Sequence, residues 1–197
     1  MKKLIFIIVF LLLASPTYAG LITIVDQQNP DPYETTYGSS TISFGQSFTP
    51  TLSAVDAFEF LLGGSDATII VNLRQGIVGY DGLGGSIIAQ SVPVLVNQYG
   101  SNLFHFDFTE RIYLTPCDLY VAELKILSGD LGVRGTQNNL YGNGQFLHGG
   151  LLPSSFNNTD LVFSEGLTSP TPIPATIFLF LTGLIGLGGL RISRKKS

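Results

Sequence analysis

The sequence predicts an all-β protein, an antiparallel β-sandwich of the jelly-roll type, and two observations support this prediction. The stretch between residues 20 and 170 holds 19 of the 23 glycines, which is about twice the usual frequency of roughly 7%. Glycine is unfavourable inside helices but common in the tight turns between strands. The same stretch contains short segments of alternating apolar and polar residues and no sustained helical spacing.

The strand candidates follow one another at intervals typical of a sandwich. In chain order they cover residues 42–48, 55–62, 68–73, 86–96, 103–108, 119–127, 131–135, 145–148 and 160–164. Pro93 interrupts the fourth candidate and predicts an edge strand or a bulge, because proline cannot donate a ladder hydrogen bond. The fifth alternates phenylalanines with polar residues, which predicts one aromatic face. Turns are predicted at the dipeptides 81–82, 84–85, 129–130 and 143–144.

The N-terminus carries the three parts of a secretion signal. Two lysines come first, residues 4–14 are uninterruptedly apolar, and small residues precede Gly20. The apolar run is shorter than the roughly 20 residues that span a bilayer, and Pro16 ends a helix just before the cutting point. We therefore expect a signal peptide over residues 1–19, which signal peptidase removes by cutting between Ala19 and Gly20.

A second apolar segment lies near the C-terminus. Residues 175–190 carry no charge, and a helix of that length is about 24 Å long, close to the roughly 30 Å of a hydrocarbon core. The stop-transfer bases that follow are Arg191, Arg194, Lys195 and Lys196. Because positive residues stay inside, we expect an external ectodomain over residues 20–167 and a proline-rich linker over 168–174. A transmembrane helix over 175–192 and a basic cytoplasmic tail over 191–197 follow.

The end of the chain resembles the PEP-CTERM sorting signal of Gram-negative bacteria. It combines Pro-Ile-Pro-Ala at residues 172–175 with an apolar helix and an end rich in arginine and lysine. The most common motif has glutamate at the position of Ile173, so this chain is similar to the proline-apolar-proline-alanine variant. The resemblance implies that an exosortase, a membrane-embedded transpeptidase, recognises and cuts the region Pro172, Ile173, Pro174 and Ala175. It also implies delivery to the cell surface and association with exopolysaccharide and biofilm matrix.

The body of the chain has a second resemblance, which rests on a pattern rather than a motif. The order of short strand segments between Ser43 and Phe163 looks like that of the exported jelly-roll modules often attached to such signals. Those modules resemble carbohydrate-binding domains in shape. Similarity of fold does not assign a ligand.

Charge and cysteine content exclude several function classes. Between residues 20 and 170 there are 14 acidic residues against four basic ones, a balance of −10. An acidic body disfavours binding to nucleic acid, whose phosphates are negative. A single cysteine excludes both an intramolecular disulfide and a thiolate metal cluster, which need two or more.

Candidate catalytic residues do not form a known motif. The sequence has no Gly-x-Ser-x-Gly elbow, phosphate loop or dinucleotide-binding turn. His105 alternates with phenylalanines, which predicts an outward-facing strand residue, and Cys117 is expected to be a small packed residue rather than a nucleophile. Two carboxyl groups about 5 to 9 Å apart would suffice for a glycosidase. Such a pair could come from Asp56, Glu59, Asp107 and Glu110.

Two kinds of binding residue stay open as alternatives. Loop oxygens of Asp66, Asp81 or Asp130 could hold calcium, although no metal or cofactor is expected from the sequence as a whole. Tyrosines could stack on sugar rings, although a tyrosine at a strand end more often packs with its hydroxyl in water. The tyrosines concerned are Tyr33, Tyr37, Tyr80, Tyr99 and Tyr141.

We expect an exported, C-terminally sorted, non-catalytic structural or matrix-interaction protein. Its precursor is expected in the inner membrane with a periplasmic ectodomain, and its final place is the cell surface or the extracellular matrix. A surface-held carbohydrate-binding module is the alternative, and a surface glycosidase ranks after it.

Overall fold

Antiparallel strands make up the regular structure of the described part of the protein. The computed structural model describes residues 21–30, 35–76, 85–97, 100–137, 141–149 and 159–168. Within these ranges there are eleven strands and no helix, so no helix there is long and apolar enough to cross a membrane. The strands are β1 (Ile22–Asn29), β2 (Thr35–Ser39), β3 (Phe44–Phe48), β4 (Ala54–Gln75), β5 (Ile87–Gln90), β6 (Val94–Val96), β7 (Asn102–Tyr113), β8 (Tyr120–Thr136), β9 (Phe146–His148), β10 (Asp160–Leu161) and β11 (Phe163–Thr168). The prediction of an all-β, antiparallel fold is confirmed.

Two long strands, β4 and β8, connect the two halves of the sheet. The first half of β4 lies between β11 and β7, and β1 lies on the far side of β11. The second half of β4 lies between β8 and the short strands β5 and β6, and β8 leads through β3 to β9. The second half of β8 also pairs with β2 and β10. The sheet therefore curls on itself into a sandwich-like fold.

Aromatic side chains fill the space between the two halves. Phe58 and Phe60 of β4, Phe106 of β7 and Phe48 of β3 are fully buried. Phe48 and Phe58 come from opposite halves and meet edge to face, with ring centroids 5.4 Å apart. Phe60 and Phe106 meet in the same way at 6.2 Å. Such pairs add about 0.5 to 1.5 kcal/mol each to the gain from burial. The Phe48–Phe58 pair holds the two halves against each other, and the Phe60–Phe106 pair joins the neighbouring strands β4 and β7.

Two local predictions are confirmed in β5 to β7. The strand interrupted at Pro93 is divided, since β5 ends at Gln90 and β6 begins at Val94. In β7 the alternation places Phe106 in the core and His105 on the opposite face. The fifth strand candidate therefore has the two faces that its sequence predicts.

Four of the predicted strands are in fact two, and the turn predicted at Gly129 and Asp130 is wrong. The candidates 55–62 and 68–73 both lie in β4, and the candidates 119–127 and 131–135 both lie in β8. Gly129 has φ of 76° where the register of β8 on β4 shifts. A Cβ on Gly129 would lie 2.4 Å from the carbonyl oxygen of Asp66. Glycine is therefore required at a β-bulge in a continuous strand, which a local pattern cannot distinguish from a hairpin turn.

β1 and β2 were not among the predicted strands. Their sequences, ITIVDQQN and TTYGS, do not alternate cleanly between apolar and polar residues. Both strands pair with partners far along the chain, since Ile22 lies opposite Thr168 and Ser39 lies opposite Leu131. Long-range pairing rather than local propensity therefore fixes them in the sheet.

Candidate functional site

A line of polar side chains crosses β11, β4 and β7 on the face turned away from the core. The strand register places Ser164 opposite Glu59, and Glu59 opposite His105. Nδ1 of His105 lies 3.1 Å from Oε1 of Glu59, and Nε2 lies 2.9 Å from Oδ1 of Asp107. The Ser164 hydroxyl donates to Oε2 of Glu59 at 3.0 Å. We call these four residues the histidine cluster.

The chemistry of the histidine cluster favours cohesion between strands. A neutral imidazole has one N–H and donates to only one of the two carboxylates, whereas an imidazolium donates to both. The Ser164 hydroxyl donates to a carboxylate and not to the imidazole, so the cluster lacks the serine–histidine contact of a nucleophilic site. The side chains of His105 and Glu59 are also only 15% and 10% exposed. The predicted outward orientation of His105 is nevertheless confirmed.

Of the four carboxylates considered for a glycosidase, Glu59 and Asp107 come together on either side of one imidazole. The imidazole of His105 lies between Glu59 and Asp107 and occupies both. Asp56 pairs with Arg111 at 3.2 Å and accepts a backbone hydrogen bond, while Glu110 is exposed on β7. The space between the carboxylates of Glu59 and Asp107 is thus filled by the imidazole.

A second polar group is buried where β1, β3, β10 and residues 141–149 meet. The Tyr141 hydroxyl donates to Gln27 at 3.1 Å and accepts from the N–H of Thr49 at 3.2 Å. Asp160 accepts from the amide of Gln46 at 3.0 Å and from the N–H of Tyr141 at 3.2 Å. Burial raises the pKa of Asp160 although these hydrogen bonds oppose the shift. Burial, together with nearby carboxylates, likewise raises the pKa of Tyr141 to about 12.

Glu165 and Asp26 form a carboxyl pair beside this group. Glu165 is fully buried, and burial, reinforced by the charge and hydrogen bonding of Asp26, raises its pKa to about 9. Neither oxygen of Glu165 has a partner of standard hydrogen-bond geometry among the described residues. Burial also disfavours the ionised form of Asp26, but hydrogen bonds from Thr51 and Leu52 outweigh it and lower the pKa. Near neutral pH, a protonated Glu165 therefore lies beside an ionised Asp26.

An open groove of about 570 Å³ lies on the outer face where β2, β8 and the middle of β4 run side by side. Gly132 of β8 lies directly between Gly38 of β2 and Gly63 of β4, so this row of the groove has no side chains. Hydroxyl and charged residues line its two sides. One side has Thr36 opposite Arg134, and the other has Ser65 opposite Asp130. We call this feature the glycine-floored groove.

Backbone geometry does not require glycine at two positions of this floor. Neither Gly38 nor Gly132 has a positive φ. A Cβ at Gly38 would come no closer than 3.8 Å to another atom, and one at Gly132 no closer than 3.4 Å. Both are ordinary contact distances, so alanine would fit. No single segment predicted the groove, although glycine inside strands signals a close approach of some other group.

Cys117 differs from its prediction, because it is exposed rather than packed. It has φ of 69° in the turn 115–118, which the N–H of Asp118 closes by donating to the carbonyl of Thr115 at 3.2 Å. With Pro116 at the second position and positive φ at the third, this is a type II arrangement, which favours glycine at the third position. An L-residue in that conformation is strained by about 1 to 2 kcal/mol.

Replacing Cys117 with glycine is therefore expected to stabilise the fold by about 1 kcal/mol, because the strain is removed and only part of the gain is lost to glycine's greater unfolded-state entropy. Urea unfolding of the full chain in detergent, followed by tyrosine fluorescence, would show a higher midpoint at an unchanged slope. Cys117→Ser is the matched control, since it keeps the Cβ and the strain. Equal midpoints for the glycine and serine variants would contradict this explanation.

The tyrosine and calcium alternatives receive little support from the described residues. Tyr37 stacks on Phe146 at 4.9 Å and Tyr141 is buried, so neither offers an exposed ring. Asp66 and Asp130 are exposed, and in the described ranges no three acidic, histidine or cysteine side chains are arranged to hold a metal ion. The other predicted residues, Tyr33, Tyr80, Tyr99 and Asp81, lie outside those ranges.

The predicted processing residues also lie outside the described part of the chain. These are Ala19 and Gly20 at the signal peptidase site, Pro172 to Ala175 in the sorting motif, and Arg191, Arg194, Lys195 and Lys196 in the tail. The nearest described strands are β1 and β11, which pair with each other.

Comparison with known proteins gives no family for this chain. No protein-family model matches it, and no curated protein has significant sequence similarity to it.

Proposed function

We propose that this chain is an exported surface protein of a Gram-negative bacterium, sorted by an exosortase through its C-terminal segment. Signal peptidase and the exosortase-type transpeptidase are its processing partners, and the inner membrane holds the precursor. The β-sandwich is a non-catalytic structural or matrix-interaction module at the cell surface, where exopolysaccharide surrounds it. A jelly-roll-like topology is part of this proposal, and the curled antiparallel sheet supports it.

The pairing of β1 with β11 is the observation that carries the proposal. Ile22 of β1 lies opposite Thr168 at the end of β11, so the described body begins and ends at one corner. Gly20 precedes Ile22 by two residues, and Pro172 follows Thr168 by four. Four residues span at most about 14 Å. The two ends of the described body are therefore adjacent, which supports the proposal that both cutting points are presented at one membrane surface.

The polar clusters of the body support a non-catalytic role. Glu59 and Asp107 are both engaged by His105, and Ser164 donates to Glu59. Glu165 and Asp160 are fully buried, so they cannot touch a substrate from solution in this conformation. These groups tie strands together, and the proposal assigns them no step in a reaction.

Changing both prolines of the motif, Pro172→Ala with Pro174→Ala, should block C-terminal processing. Proline fixes φ and keeps the segment extended, and an enzyme that reads an extended motif loses productive positioning when that constraint is removed. We expect the processed fraction to fall at least about tenfold in the native host. Immunoblots of membrane and extracellular fractions, with mass spectrometry of the C-terminus, would measure it.

A matched control is Pro170→Ala, which changes a linker proline outside the motif and should leave processing intact. Export provides the second readout, since the double variant should still lose residues 1–19. Normal C-terminal processing of the double variant would contradict the assignment of the motif, even if the protein still reaches the surface.

The glycine-floored groove favours the second candidate function, a carbohydrate-binding module held at the same surface. The chemistry of that groove is independent of the sorting signal.

A further inference from the structure

We infer that the glycine-floored groove binds a neutral oligosaccharide segment along the outer face of β2, β8 and β4. The groove is a concave feature on which hydroxyl, carboxylate and guanidinium residues converge. Such convergence of a few polar groups on a concave surface is typical of a small-ligand site. The inference rests on the groove alone and not on how the protein is sorted.

The dimensions of the groove follow from the strand register. The row of Thr36 and Arg134 and the row of Ser65 and Asp130 lie four residues apart along β8. At about 3.3 Å per residue they are about 13 Å apart. Gly132 lies midway between the two rows, so a sugar ring can lie on exposed backbone between polar walls. Side chains at Gly38 and Gly132 would fill this space, although the fold itself would accept them.

The lining chemistry matches a polyhydroxylated ligand. Thr36 and Ser65 supply hydroxyl groups that both donate and accept. The Ser39 oxygen already accepts from the N–H groups of Thr41 and Ile42, so its hydroxyl contributes a donor. Asp130 accepts and Arg134 donates, and each can engage two neighbouring hydroxyls of a sugar. The groove thus offers both donors and acceptors. A sugar hydroxyl needs both, because it donates and accepts hydrogen bonds at the same time.

Charge selects a neutral saccharide rather than an anionic one. The body between residues 20 and 170 has a balance of −10, and a field of that sign repels polyanions. Inside the groove one acidic and one basic residue offset each other. Acidic polysaccharides and nucleic acids are therefore disfavoured.

An extended peptide fits the groove less well than a saccharide does. Peptides that bind sheets take their affinity from main-chain hydrogen bonds to a strand edge. The floor here is a sheet face whose backbone groups are already used in the ladders between β2, β8 and β4. Hydroxyl and charged side chains line the groove instead, which suits a ligand rich in hydroxyls.

The test measures binding of defined sugars to the full chain in detergent. Neutral hexasaccharides built from glucose, mannose or galactose, and an acidic hexasaccharide of galacturonic acid, would be titrated up to about 10 mM, since a few hydrogen bonds to hydroxyls give dissociation constants of about 1 mM. Ligand-observed NMR would report the affinities. We expect at least one neutral hexasaccharide to bind and the acidic one to bind more weakly.

Substitutions on the floor locate the site. Gly38→Val should lower the affinity at least tenfold, because the side chain fills the groove while valine suits a strand. Gly132→Ala is a second variant with a smaller volume change, and Asp130→Asn should weaken binding about fivefold by removing the charged acceptor. The matched control is Gly142→Val, since Gly142 has open space around it and does not line the groove.

Three results would overturn the inference. In the first, the full chain binds no neutral hexasaccharide at 10 mM. In the second, it binds the acidic sugar alone. In the third, the folded Gly38→Val and Gly132→Ala proteins bind with unchanged affinity. Equal loss in Gly142→Val and Gly38→Val would also remove the groove as the site. None of these outcomes alters the processing experiment, so failure of this inference and failure of the sorting proposal are distinguishable.

Discussion

Glu165→Gln should stabilise the folded protein at pH 7 by up to about 3 kcal/mol, with a gain that grows as the pH rises. Glu165 is fully buried, and its pKa is raised from 4.5 to about 9 by burial first and by Asp26 second. Between these two pH values the folded state keeps a proton that the unfolded state releases. Stability therefore falls with rising pH through this window, by about 1.4 kcal/mol per pH unit.

Glutamine has the same shape as the protonated acid but does not titrate. The variant therefore does not lose folding stability as the pH rises through this window. Below pH 4.5 both states of the wild type are protonated, and the two proteins should have similar stability. The difference should open above pH 4.5 and level off above about pH 9. Urea unfolding of both full-length proteins between pH 4 and pH 10, compared at each pH, would measure it.

Glu110→Gln is the matched control, because Glu110 is an exposed glutamate on β7. It should change stability by less than about 0.5 kcal/mol at every pH. A constant difference between wild type and Glu165→Gln across the whole range would show that Glu165 does not hold its proton in the folded state.

Arg74→Met should destabilise the fold by about 3 kcal/mol, because it leaves the buried carboxylate of Glu123 without its cation. The Arg74 Nε donates to Oε2 of Glu123 at 2.8 Å, and the Glu123 side chain is only 3% exposed. Asn72 donates to the same oxygen at 2.8 Å, and Gln90 donates to Asn72 at 2.8 Å. The network thus joins β8, β4 and β5, and the methionine variant breaks it at the charged end.

A double-mutant cycle separates the charge from the packing. Arg74→Met with Glu123→Gln should recover most of the loss, since the remaining amide can still accept from Asn72. Arg111→Met provides the matched control, because the side chain of Arg111 is 47% exposed in its pair with Asp56, and such pairs contribute about 0 to 1 kcal/mol. Equal losses for Arg74→Met and Arg111→Met would contradict the special role of the buried pair.

Glu123 and Glu165 show why burial of an acid is hard to read from a sequence. Both glutamates lie in short segments that alternate between apolar and polar residues. The residues next to each glutamate in the sequence do not show which charged side chain it will contact. The cation of Glu123 comes from β4, 49 residues earlier, and Asp26, which helps to raise the pKa of Glu165, comes from β1. The charge state of each glutamate is therefore set by strand order and register, which local patterns do not contain.

The parts of the fold that local patterns did predict are those with strong alternation or a clear backbone restriction. Phe106 and His105 lie on opposite faces of β7 as expected, and Pro93 separates β5 from β6. The turn predicted at Gly129 was wrong, because glycine permits a bulge there rather than a turn. Local patterns also did not predict that Thr36 lies opposite Arg134, because this pairing depends on closure of the sheet.

The candidate sites also differ in how far local sequence patterns predict them. The histidine cluster was partly visible in the sequence, because His105 and Asp107 share a face of one strand. Its third member, Glu59, joins only through the register of β4 on β7. The glycine-floored groove needs three strands and was not visible at all, although Gly38, Gly63 and Gly132 are each unusual inside a strand.

Exosortase sorting is tested most directly by determining both termini of the mature protein in its native Gram-negative host. Mass spectrometry of the protein from inner-membrane, outer-membrane and extracellular fractions would identify them. We expect a chain that begins at Gly20, ends near Pro174 and lies outside the inner membrane. A chain that retains its tail through Ser197 and stays in the inner membrane would contradict exosortase sorting and would identify a simple anchored protein instead.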